Sequence, residues 1–117
     1  VPEARRGRSD GYAPNTVTAV LDALADPRRR EIIDVMARSG QATATTLAAE
    51  VDVSRQAIAK HLGVLADAGL VASARQGREV LYVLRPAPLE ATARWMKDAA
   101  AVWDRRLDAL KRAAEES

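Results

Sequence analysis

At 117 residues, 48% apolar and 29% charged, the chain has the length of one domain with a single modest core and the composition of a folded, soluble protein. It has no Cys and one His, which excludes disulfides, thiolate metal sites, thiol redox chemistry and an imidazole cluster within one chain. The net charge of +2 is too mild to argue for a nucleic-acid partner by itself, so the placement of the charges has to decide.

No leader pattern and no apolar run long enough to cross a bilayer is present, so the expectation is a cytoplasmic protein with no membrane partner. Residues 1–14, VPEARRGRSDGYAP, carry Pro, Gly and Arg without apolar periodicity and read as a flexible arm. Residues 15–117 are expected to form the folded domain. Val17, Val20, Leu21 and Leu24 recur at helical spacing and predict a short amphipathic helix that stops at Ala25-Asp26-Pro27. Asp26 as cap and Pro27 in the first turn then start a second helix. Its inner face is Ile32, Ile33, Val35 and Met36, and Gly40 closes it. Thr43 caps a third helix with Leu47, Ala48 and Val51 inward, and a tight link through Asp52 leads to Ser54.

Ser54 caps a fourth helix, within VSRQAIAKHLGVLADAGLV at 53–71, whose buried stripe is Ile58, Leu62 and Leu65 and whose stop is Gly69. The period then changes. LVASARQGREVLYVL splits into two β-favouring runs around Gln76-Gly77-Arg78-Glu79, a hairpin signature. Pro86 and Pro88 end it, and a long helix is expected from Leu89 to Ala114.

Two helices joined by a tight link, with a hairpin directly after, are the parts of a winged helix-turn-helix. The fold class is therefore mostly α with a small β-hairpin. The major groove of B-DNA, about 12 Å wide, admits one helix, provided that helix is braced from behind. Here the aliphatic stripe braces, and Arg55, Gln56, Ala59 and Lys60 are left outward. Arg and Lys can donate to guanine and Gln can pair bidentately with adenine, while Ser54 and the free N–H groups beside it suit a phosphate. On a lone helix the same side chains would be a solvated face; the adjoining helix, the link and the basic hairpin favour double-stranded DNA as partner. Arg75 and Arg78 flank the hairpin tip, where they can follow the phosphate backbone or enter the minor groove. His61 sits beside the buried stripe, and a hydrogen bond to backbone or phosphate suits it better than a metal, which needs three or four ligands.

LADPRRREIIDVM at 24–36, TTLAAEVDVSRQAIAKHLGVLADAGLV at 45–71 and ARQGREVLYVL at 74–84 resemble the ArsR/SmtB family of bacterial repressors. The resemblance spans roughly residues 16–112. It implies a homodimeric winged-helix regulator with its first and last helices at the dimer interface, which places Val17, Val20, Leu21 and Leu24 there. Thiolate sensors of the family carry Cys where this chain has Thr43, Ala44 and Thr45, and sensors that bind metal across the last helix use a His that this helix lacks. The expectation is a regulator with no metal and no cofactor. Asp52 stands where relatives often have Gly, and Asp tolerates the left-handed backbone such a turn needs.

In the last helix Leu89, Ala93, Met96, Ala100, Trp103, Leu107 and Leu110 alternate steps of four and three, a heptad seam. Trp95, Ala99 and Val102 form a second line beside it. One stripe suffices to pack the helix on its own domain, so the pair implies that one covers a second copy. A homodimer would place two reading helices in successive major grooves on an inverted repeat. Arg28, Arg29 and Arg30 open the second helix at its positive end, which calls for a carboxylate or phosphate partner. Two other readings stay open. One is a small organic effector near the dimer interface, lined by Trp95, Met96 and Trp103; the other is a winged helix that binds protein. No constellation resembles a catalytic site, so no enzyme is expected.

Overall fold

The computed structural model describes residues 14–116. The expected arm lies outside the described residues except for Pro14, which opens the first helix. The elements run α1 (Pro14–Leu24), α2 (Pro27–Ser39), β1 (Gln41–Ala42), α3 (Ala44–Val51), α4 (Arg55–Asp67), β2 (Val71–Gln76), β3 (Glu79–Leu84) and α5 (Ala87–Glu116). This is the winged helix-turn-helix that the sequence implies. No helix among the described residues is long and apolar enough to cross a membrane.

Each short helix starts on a side-chain cap. Asp26 accepts from the Arg28 N–H, Thr43 Oγ1 from the Thr46 N–H and Ser54 Oγ from the Ala57 N–H, each satisfying a donor that the helix cannot. Asp52 ends α3 in the left-handed region at φ +60° and ψ +53°, with its N–H on the Ala48 carbonyl. The chain can then reverse within three residues and begin α4. At the far end of α4, Gly69 takes φ +78° while the Leu70 N–H returns to the Leu65 carbonyl at 2.9 Å.

β2 and β3 form an antiparallel hairpin in which Gln76 faces Glu79, so Gly77-Arg78 is a two-residue turn. Gly77 sits at φ +63° and Arg78 does not share a positive φ, the pattern of a type II′ turn with Gly in its first central place. β1 adds to the other edge of β3, with Gln41 opposite Val83 and Ala42 opposite Tyr82. That strand was not foreseen. Two residues are too few for any periodicity, and only the buried Ala42 marks it.

The core gathers Val20 and Ala23 from α1, Ile32 and Met36 from α2, Leu47 and Val51 from α3, and Ile58, Leu62 and Leu65 from α4, closed by Leu70 and Val71. Ile33, Val35 and Ala48, expected inward, are half-buried at its margin. α5 begins two residues earlier than expected. Proline lacks only an N–H that the first turn does not use, so Pro88 is accommodated inside the helix, buried, with the Glu90 N–H reaching back to the Pro86 carbonyl at 2.9 Å. α5 packs on α1 near its start, where Ala91 and Thr92 are buried, and from Ala100 onward its described side chains are all exposed.

Replacing Ile58 by Ala should lower the unfolding free energy by about 2–5 kcal/mol, because its side chain has no accessible surface to relax into. Val64→Ala, on the open side of the same helix, should shift it by no more than about 0.5 kcal/mol. Urea midpoints at unchanged slope would measure both, and equal losses would overturn this division of α4 into a braced and a free side.

Candidate DNA-recognition surface

Ser54, Arg55, Gln56, Ala59 and Lys60 are all exposed, on the side of α4 opposite Ile58, Leu62 and Leu65. A cleft of about 600 Å³ opens between the starts of α3 and α4 and the wing. Arg55, Gln56 and Ala59 from α4 line it together with Arg78, so four of the residues expected at DNA come together in one concave surface. Lys60 lies further along α4 and Arg75 on the hairpin outside the cleft lining, each exposed.

The cleft also contains residues the sequence reading passed over. Thr43 and Thr45, at the capped end of α3, form the wall facing Arg55, and Glu79 adds a carboxylate beside Arg78. The Thr43-Ala44-Thr45-Thr46 run was a legible signal, since hydroxyls gathered at a helix start offer donors where N–H groups already point outward. Tyr82, half-buried, forms part of the floor.

His61 is placed differently. It is half-buried, and its Nδ1 lies 3.4 Å from an Arg29 guanidinium nitrogen. Arg29 also donates through Nε to the Ala23 carbonyl and lies 3.6 Å from the Asp26 carboxylate. One guanidinium thus joins the end of α1, the cap of α2 and the middle of α4. Arg30 donates to the Leu24 carbonyl at 2.7 Å, and Arg28 pairs with Glu31 at 2.9 Å and reaches the Val51 carbonyl at 3.2 Å. The three cations at the positive start of α2 therefore sit against the carbonyl-bearing end of α1 and nearby carboxylates, which offsets the dipole they oppose.

Hydrogen bonding from the Arg28 N–H, aided by Arg29 and His61, holds the Asp26 carboxyl below its ordinary value, against a smaller opposing effect of burial. Among the described residues no group of three or more His, Cys, Asp or Glu side chains is placed to hold a metal ion.

The surface expected at a dimer interface is mostly open: Leu21, Trp95, Met96, Val102, Trp103, Leu107 and Leu110 are exposed, and Val17, Leu24 and Ala99 half-buried. Val20 corrects the expectation. It is wholly buried under α1 in the chain's own core and has no surface to offer a partner. The seam of α5 is also freer than a helix packed on its own domain would leave it, since only Leu89 at its start is half-buried.

A helix-turn-helix domain family matches residues 24–74, the span from the end of α1 into β2. The chain is 32% identical over 77 residues to the transcriptional repressor SdpR of Bacillus subtilis, covering 66% of this chain and 84% of that one. An ArsR-like transcriptional regulator from Rhodococcus sp. RHA1 superposes with a TM-score of 0.75 at 44% identity, over 85% of this chain and 92% of that one. The chain belongs to the ArsR/SmtB family. This ArsR-family protein is accordingly a DNA-binding transcriptional regulator and not an enzyme, built on the winged helix its relatives share. A homodimeric winged helix-turn-helix DNA-binding domain from Mycobacterium bovis, Mb0332, superposes at a TM-score of 0.58 and 26% identity, over 83% of this chain and 92% of that one.

The Asp26 cap carries a pH test. Asn preserves the capping oxygen but not the charge. Because the folded carboxyl titrates below its ordinary value of 3.8, its charge contributes stability above that value and loses it as pH falls through it towards the folded one. Wild type should therefore melt above Asp26→Asn near neutral pH, with the two melting temperatures converging under acid. A gap that persists at the acid end would overturn the charge-based account.

Proposed function

We propose that this protein is a homodimeric repressor that reads an inverted-repeat operator with α4 and grips the flanking backbone with its wing, without a metal effector. The observation that carries the reading is the shared cleft, in which Arg55, Gln56 and Ala59 of a braced helix face the same space as Arg78 of the hairpin. A groove-reading helix needs an exposed N-terminal half beside a cationic element that tracks phosphates, and this cleft supplies both. Ser54 and the N–H groups at the start of α4 suit a phosphate at its mouth, and Lys60 and Arg75 extend the cationic surface to either side. His61, turned towards Arg29, supports recognition by holding α4 in place.

The homodimer is supported by the exposed apolar faces of α1 and α5 and by likeness to the homodimeric Mycobacterium bovis domain. Two α4 helices related by a twofold axis would meet major grooves about 34 Å apart. Operation without a metal effector is supported by the chemistry of the donors: the chain has no Cys and a single His, and that His already has Arg29 as a neighbour.

Titration of the protein against duplexes from the region upstream of its own operon should give tight binding with a steep salt dependence. Binding no stronger than to random duplex would overturn sequence-specific reading. Gln56→Ala should cost about 1–3 kcal/mol on the operator and relax preference at one base pair in each half-site. Arg78→Ala should weaken operator and random duplex alike and reduce the salt slope by about one. A loss confined to one operator base would instead make Arg78 a base reader.

A further inference from the structure

Along α5 the seam residues Ala93, Met96, Ala100, Trp103, Leu107 and Leu110 are all exposed in the protomer, Trp103 by 61% and Leu110 by 65%. One flank of this seam, marked by the buried Thr92 and half-buried Ala99, turns towards the chain's own body. The opposite flank is open and carries Glu90, Lys97, Asp104 and Lys111, spaced seven apart with alternating sign. Among the described residues, none of these four charges forms an ion pair within the protomer.

We infer that this flank is a self-recognition code, which selects a second copy of the same chain in one antiparallel register. The inference rests on the homodimer proposed above and specifies how its partner is chosen. An alternating row of four charges is complementary to its own reverse. Laid antiparallel, Lys97 of one helix meets Asp104 of its partner and Glu90 meets Lys111, so four opposite-sign pairs form per dimer. Flanking charges of this kind set partner and orientation in helix pairs.

The apolar seam selects the same register. With Ala100 of one helix against Trp103 of its partner, Met96 meets Leu107 and Ala93 meets Leu110, so the two alanines each face a large side chain and the layers interlock. This alignment brings Ala87 of one helix opposite Glu116 of the other, so the 30-residue helices overlap end to end, over about 45 Å. The parallel alternative fails on both counts. It sets Trp103 against Trp103 and Ala100 against Ala100, and it brings Arg106 towards Lys111 with no attractive pair in compensation. A chain lacking the alternating row would leave charges of like sign opposed, which is how such a seam rejects related helices.

Charge reversal in the full-length protein tests this, with dimer dissociation followed by sedimentation and folding checked by circular dichroism. Lys97→Glu alone and Asp104→Lys alone each convert two attractive pairs to two repulsive ones and should weaken the dimer by roughly ten- to thirtyfold, estimated from the strength of exposed ion pairs. The double variant Lys97→Glu/Asp104→Lys should return to wild-type affinity. Mixing the two single variants should yield predominantly the mixed dimer, since each corrects the other. All four positions are exposed, so the variants are expected to fold. A wild-type dimer indifferent to the reversals, or statistical mixing of the two variants, overturns the code while leaving the homodimer intact. A wild-type chain that stays monomeric overturns both.

Discussion

The asymmetry of α4 is the constraint on which recognition depends. Ile58 and Leu65 have no exposed surface and Leu62 almost none, while Arg55, Gln56 and Lys60 on the same helix are fully open. A reading helix carries sequence information only if its side chains arrive at base edges in a fixed orientation, because hydrogen bonding weakens steeply with angle and distance. Burial of three consecutive layers on one side supplies that orientation at the level of packing. The Ser54 cap, the left-handed Asp52 and the Gly69 stop fix where the helix begins and ends. The wing then joins the same surface because β3 runs back beside α3, pinned by the short β1 strand.

The arginine cluster at the start of α2 shows why composition is a poor guide to a DNA-binding face. Arg28, Arg29 and Arg30 are adjacent in sequence and would dominate any map of basic density, yet their guanidinium groups are spent inside the fold. They meet carbonyls at the ends of α1 and α3 and the carboxylates of Asp26 and Glu31. A cation at a helix start is unfavourable until another helix end supplies the opposite dipole. The α1–α2 corner does so by setting the end of one helix against the beginning of the next. The cations left for DNA are fewer and sit elsewhere, on α4 and the wing.

Those same residues divide what was legible in the sequence from what was not. Local signals carried over almost unchanged: Asp26, Thr43 and Ser54 as caps, Gly77 as the turn, and the stripe of Ile58, Leu62 and Leu65 each depend on interactions within a few residues. Interactions across elements were not legible. The partners of Arg29 and His61 are 32 positions apart, and no spacing rule connects them. β1 exists only because β3 offers it an edge. For α5, periodicity correctly located two apolar lines, but it could not say that the domain body ends near Thr92 and leaves the seam bare. Val20 failed for the related reason that α1 has two apolar sides, and only packing decides which of them turns inward.

A connection between the dimer face and the reading helix follows from the same contacts. α1 packs on α5, and its last carbonyls hold Arg29 and Arg30, while Arg29 reaches His61 in the middle of α4. The path from the exposed seam to the DNA surface is therefore two packed helices and one guanidinium, with no long loop in between to absorb a displacement. Close-packed elements move as bodies and do not deform continuously. A rearrangement between two copies at α5 would for that reason change the separation and tilt of their α4 helices, while a twofold-symmetric operator tolerates only one separation. Any signal that released such a dimer from DNA would have to bind the two arrangements with different affinity, and the interface of α1 with α5 is where this fold keeps the largest apolar surface free to register that difference.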